Sequence, residues 1–232
     1  LDRAYELFAK DLGVRPKAPV RVELLTRPAN LAKVSTLTEN DIRTTGTIAL
    51  CKYNKLMAVT PRATLYGYAW LDTLVHEYVH YVVSVASRDR VPVWLHEGIA
   101  RFLQNRWRKT QLGELSGTDE FLLANALKRN DFISFDAMHP SMAKLPSQEA
   151  AALAYAEVYT MIRYAHGKMG YPGLRTMLSR ISAGMDARKA MTTVLEASNW
   201  KAVERGWKQH LRNSKLALEP ALAGRARHGR IR

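Results

Sequence analysis

Trp70-Leu71-Asp72-Thr73-Leu74-Val75-His76-Glu77-Tyr78-Val79-His80-Tyr81-Val82-Val83 carries apolar residues at Leu71, Leu74, Val75, Tyr78, Val79 and Val82, the spacing of one broad helix face. No proline or glycine interrupts it. Downstream the helical period persists. A polar break at Ser87-Arg88-Asp89-Arg90, with Pro92, separates a second helix that starts near Val93 or Trp94. A third follows Thr118, whose side chain is placed to cap it ahead of Asp119 and Glu120. Ser147 is expected to cap a long helix running to about Lys168, with Gly170 as its stop signal. The last helix is expected over residues 199–215. Upstream the period differs. A short helix over residues 2–11 precedes Val20, Val22 and Leu24 in strict alternation, a strand pattern. Residues 29–43 read as helical, and residues 47–51 and 56–60, joined through Lys52-Tyr53-Asn54-Lys55, read as a hairpin ended by Pro61. The expected fold class is α+β, a small N-terminal mixed sheet followed by a mostly helical body.

Composition narrows the function classes. With 47% hydrophobic residues, 9 Pro and 13 Gly in 232 residues, the chain is neither disordered nor fibrous. Its length fits one large domain, or a catalytic domain with a small helical appendage. A single cysteine, Cys51, excludes a disulfide framework and a cysteine-rich zinc module; it is most simply a small core residue in a strand. No apolar run approaches the ~18 residues that cross a bilayer, so no transmembrane segment is expected. The chain opens at Leu1 without methionine, which reads as part of a larger multidomain protein. Lys and Arg number 35 against 21 Asp and Glu, a formal charge of +14, and residues 201–232 hold nine Lys/Arg against two Glu. The expected division is a folded domain over residues 1–216 and a flexible basic tail over residues 217–232. No basic stripe interleaved with aromatics is present, and no specific nucleic-acid partner is expected.

The chemistry lies in His76-Glu77-Tyr78-Val79-His80. Positions i and i+4 of a helix sit ~40° apart in rotation and ~6 Å apart in rise, so both imidazoles point the same way and can bind one Zn²⁺. Glu77 is ~100° around the helix, too far to complete that pair as a ligand but within reach of a water held by the metal. A shuffled chain of this composition shows H-E-x-x-H about once in a hundred tries. Two histidines leave a tetrahedral site incomplete. Seventeen residues after His80 comes Glu97, within Trp94-Leu95-His96-Glu97-Gly98-Ile99-Ala100, on a helix expected to pack antiparallel to the first. Glu97 is the candidate third ligand, with His96 as its rival one position away, and Gly98 is expected to let the two helix backbones approach closely.

These residues resemble the gluzincin metallopeptidases, the peptidase MA-like domains related to aminopeptidase N and leukotriene A4 hydrolase. The resemblance spans roughly residues 45–211. It implies a zincin-like fold, a peptide or protein substrate, one zinc ion per chain, and Glu97 as its third ligand beside His76 and His80. It implies Glu77 as the general base. The segment Tyr155-Ala156-Glu157-Val158-Tyr159-Thr160-Met161-Ile162-Arg163-Tyr164 is similar to a later helix of the family, which makes Tyr155 the tyrosine that assists catalysis; on its own pattern it reads equally as a core tyrosine. Residues 200–211, around Trp207, look like the helix that closes such domains. Between Gly46 and Leu71 nothing resembles the G-x-M-E-N segment with which aminopeptidases hold a free amine, so endopeptidase action is favoured. The alternative is a catalytically silent zinc-bearing domain serving as a peptide-binding scaffold. The resemblance also implies an exported or envelope-associated bacterial protein. The hairpin strands are candidates for pairing with an extended peptide, and Met138-His139-Pro140-Ser141-Met142 reads as a loop between helices.

Overall fold

The computed structural model describes residues 1–17, 19–108 and 115–216; the expected basic tail over residues 217–232 lies outside them. Helix α1 (Asp2–Leu12) buries Ala4, Phe8 and Leu12, one residue per turn, and ends at Gly13 with φ of 73°, a left-handed cap that glycine adopts without a Cβ clash. Strand β1 (Arg21–Leu25) is followed by two short helices, α2 (Asn30–Val34) and α3 (Glu39–Thr45), the second opened by a Thr38–Asp41 capping box. Strands β2 (Ala49–Lys52) and β3 (Lys55–Val59) are joined by Tyr53 and Asn54, with φ of 54° and 57°. Two successive positive φ values make the two-residue turn that matches strand twist.

β3 is the centre of the sheet. β1 pairs with it in parallel and β2 antiparallel, in the order β1-β3-β2. One face sends Leu56 of β3 into the main core; the other sends Met57 and Val59 onto Leu31 of α2 and Ile42 of α3. The alternation of Val22 and Leu24 marks a strand, but these side chains remain 38% and 56% exposed. The reason is topological. The next helix, α4 (Trp70–Ser87), packs across β3 and β2 and leaves the β1 edge uncovered.

The helical body follows. α4 ends at Arg88 and Asp89, with φ of 55° and 57°, and α5 (Val93–Leu103) begins after Pro92. α6 (Gly117–Arg129) is capped by Ser116 through a reciprocal box with Asp119, rather than by Thr118 as the sequence pattern pointed to. The box places its acceptor three residues before Asp119, and Ser116 holds that position. α7 (Gln148–Ser182) is capped by Ser147 as expected, and at Gly170 (φ 59°, ψ −171°) it breaks helical geometry and resumes through Pro172. Gly170 therefore ends the first helix, as the sequence pattern pointed to, and a second runs on beyond the kink. α8 (Ala187–Val194) and α9 (Trp200–Asn213) complete the order. Trp207 of α9 is 2% exposed and donates from Nε1 to Thr160 Oγ1 on α7 at 3.1 Å. The architecture is α+β, mostly helical with one small three-stranded sheet.

Candidate metal centre and active site

Helix α4 buries Leu74, Val75, Tyr78, Val79 and Val82, which turns His76 and His80 together toward α5. Their Nε2 atoms lie 3.1 Å apart. Glu97 Oε2 from α5 lies 3.3 Å from His76 Nε2 and 3.4 Å from His80 Nε2. The three atoms form a nearly equilateral triangle. Ligand atoms about 2.0–2.1 Å from a tetrahedral zinc stand about 3.3 Å from one another, so the donor set fits that ion without rearrangement. His96, the rival ligand, is not in the triangle.

The far side of each imidazole says why. His76 Nδ1 faces Gln104 Oε1 at 3.1 Å, and His80 Nδ1 faces His96 Nδ1 at 2.5 Å, while His96 Nε2 lies 3.3 Å from Ser84 Oγ. Gln104 presents its Oε1, an acceptor, so His76 donates from Nδ1 and turns a lone pair toward Glu97. A chain from His80 Nδ1–H through His96 to Ser84 does the same for the second ligand. Burial, then the charge of His80, pushes His96 down to about 3, which keeps it neutral and able to accept. With both protons on the outer nitrogens, three acceptors converge with no donor among them. Glu97 Oε2 is buried and has no hydrogen-bond partner, an arrangement a cation completes. Burial acts to raise the Glu97 pKa, but the adjacent His80, then His76, holds it well below the usual carboxylate range. Conversely, burial pulls His80 down and the Glu97 carboxylate more than reverses it. His76, His80 and Glu97 form one group able to hold a metal ion.

Glu77 and Tyr155 line the same cleft as His76, a space of about 360 Å³. Glu77 is 6% exposed; burial raises its pKa first, the two histidines oppose that, and Glu97 adds to it. The backbone of Cys51 on β2 hydrogen-bonds its carboxyl, fixing it between helix and sheet. Tyr155 comes from α7. The Glu97 charge and then burial raise its pKa well above the ordinary value, so its hydroxyl keeps its proton and remains a donor. Met142 and Ala143 border the cleft too, so the loop reading of residues 138–142 extends to a cleft wall. Cys51 is largely covered, and burial pushes its thiol up to about 12, the behaviour of an inert packing residue.

Gly98 does not serve the contact expected of it. A Cβ there would meet Val158 O and Ile162 Cγ1, both at 2.8 Å, so its close approach is to α7 and not to α4. The sequence neighbour is not the packing neighbour. Two supports escaped sequence reading altogether, Gln104 and Ser84. Gln104 lies seven residues after Glu97 and Ser84 four after His80, and those spacings put them on the ligand-bearing faces.

The peptidase MA superfamily model matches residues 3–213. The chain belongs to the peptidase MA superfamily. Its members are typically zinc-dependent peptidases, in accord with the His76-His80-Glu97 group. No curated protein and no solved structure gives a significant match. A peptidase domain of this kind implies peptide or protein substrates.

Proposed function

We propose that this peptidase MA chain is a zinc-dependent endopeptidase, with one zinc ion on His76, His80 and Glu97, Glu77 as general base and acid, and Tyr155 as donor to the developing oxyanion. The observation that carries the reading is the triangle of three acceptor atoms 3.1–3.4 Å apart with Glu77 and Tyr155 on the same cleft. The W-L-x-E-G-x-A likeness to aminopeptidase N and leukotriene A4 hydrolase supports it further. Bound there, zinc supplies Lewis acidity, which acidifies water and polarises a carbonyl.

The chain's own residues do the rest. Glu77 takes the proton of the attacking water and returns it to the leaving amine. Tyr155 donates a hydrogen bond to the carbonyl oxygen as negative charge grows on it. The sheet supplies a track for the peptide. Val59 N–H bonds Ile48 O at 2.8 Å, so in the antiparallel ladder Ile48 and Leu50 turn their backbone groups to β3, and Ala49 turns its N–H and C=O outward. β3 has both edges occupied, which leaves β2 as the strand beside the cleft able to pair with an extended peptide. Beyond Gly46, Thr47 and Ile48 the cleft continues into a groove over Ile42 and Pro28, room for chain beyond the scissile bond that an endopeptidase needs.

The test is digestion of a diverse unstructured peptide library by the zinc-loaded protein, read by mass spectrometry, beside Glu77→Gln. Internal cuts that vanish in the variant and with chelator are expected. Trimming from the amino end alone overturns the endopeptidase assignment. No cleavage by a protein holding one zinc overturns catalysis and leaves a peptide-binding scaffold.

A further inference from the structure

Glu97 and Arg101 of α5 and Gln104 at its C-cap stand at i, i+4 and i+7; Arg101 and Gln104 line the cleft, and Glu97 faces His76, which lines it too. Glu97 and Gln104 are accounted for by the metal group and its support. Arg101 is not. It lines the cleft, and its positive charge acts on the Tyr155 hydroxyl. Its side chain is 40% exposed, and among the described residues it is the one Lys or Arg on the cleft wall.

Its ion-pair partner is Asp119, Nη2 to Oδ2 at 3.6 Å, too long for a hydrogen bond. Asp119 is otherwise engaged, because its Oδ2 accepts the Ser116 N–H at 3.1 Å in the capping box of α6. Asp119 thus orients the guanidinium without using its N–H donors. A planar fork of five donors matches a carboxylate in bidentate fashion. The cleft's remaining negative charge, Glu77, sits toward the sheet against Cys51.

We propose that Arg101 recognises a carboxylate of the substrate, placed within about four residues of the bond to be cut. That distance is one helical turn from Glu97 plus the reach of an arginine, set against about 3.3 Å per extended residue. The carboxylate comes from an Asp or Glu side chain or from a peptide's own C-terminus; the chemistry at Arg101 is the same. The inference rests on the peptidase reading above and gives that activity a substrate class, acidic or C-terminal segments.

The experiment separates the two ideas. Paired peptides differing as Glu versus Gln, and as free acid versus C-terminal amide, are cleaved by the zinc-loaded protein and by Arg101→Gln. Their binding to zinc-loaded Glu77→Gln, with and without Arg101→Gln, is measured by fluorescence anisotropy. The expected result is a preference of about 10- to 100-fold for one carboxylate-bearing partner, the size of a charge-assisted contact, that collapses toward unity in Arg101→Gln. Dependence on the side chain or on the free C-terminus identifies the source. Cleavage with equal kcat/KM for both members of each pair overturns the inference and spares the peptidase. Carboxylate-selective binding without any cleavage overturns the peptidase and spares Arg101. A lower melting temperature in Arg101→Gln with the ratio unchanged makes Arg101 a structural partner of Asp119 only, and the inference falls.

Discussion

Glu157 is fully buried on α7. Its Oε1 accepts the Ile133 N–H at 3.0 Å, and its Oε2 has no hydrogen-bond partner. Burial pushes its pKa up to about 8, against the opposing Ile133 hydrogen bond and the Lys208 charge. An unfolded chain titrates the same carboxyl near 4.5. Folding therefore takes up a proton at intermediate pH. The stability tied to the protonated group is fully present below pH 4.5, falls as pH rises from there, and is lost above pH 8. At about 1.4 kcal/mol per pKa unit the total is about 5 kcal/mol, with about 3 kcal/mol already lost at pH 7. Glu157→Gln keeps an acceptor for Ile133 and removes the titration. Urea unfolding of both proteins at intervals from pH 4.5 to 8.5 should show the variant matching wild type at the acid end and exceeding it by about 3 kcal/mol at pH 7. A difference independent of pH, or a wild type that is the more stable at pH 8, refutes the argument, because it means the buried carboxylate is effectively paired, with Lys208 the obvious partner.

Three further outcomes follow from the site. Gly98→Ala forces a Cβ to within 2.8 Å of the Val158 carbonyl oxygen, and should lower stability by about 1–3 kcal/mol, measured by chemical denaturation of the metal-free protein. His96→Ala and Gln104→Ala remove the groups that set the ligand tautomers and should each weaken zinc binding by about 10- to 100-fold, read by competition with a fluorescent chelator; unchanged affinity would mean the imidazoles orient themselves. Tyr155→Phe should lower kcat by about 10²–10³-fold with zinc content and melting temperature retained, whereas a packing role alone would reverse that pattern.

The candidate metal group of this chain was legible because it is local. His76 and His80 are one turn apart on an uninterrupted apolar helix, so periodicity alone aligns them; Glu97 was favoured over His96 through family likeness. The N-cap at Ser147 is local in the same sense. What escaped is decided over longer distance. Gly98 was matched to α4 because α4 is next in sequence, yet the backbone it approaches lies sixty residues later on α7. Val22 and Leu24 alternate as buried residues do, but which strand a helix covers depends on strand order, and β3 takes the centre although β1 precedes it. His96 looks like a ligand by residue type, and only the rotation of α5 shows it backing His80 instead. Arg101 and Gln104 are unremarkable on any amphipathic helix; their importance comes from sharing a face with Glu97. Tyr155 was singled out through family likeness alone, since nothing in its own heptad separates it from the buried Tyr159.

The contact at Gly98 has a consequence for how such a cleft can change. Glu97 adjoins that glycine on one helix, and Tyr155 lies one turn from Val158 on the other. The span between the Glu97 carboxylate and the Tyr155 hydroxyl is thus gauged by two backbones touching where a side chain is missing. The walls at Met142 and along residues 46–49 take no part in that gauge. Substrate preference can drift through those walls while the reacting groups keep their spacing, and the one position that holds the calliper closed admits no larger residue.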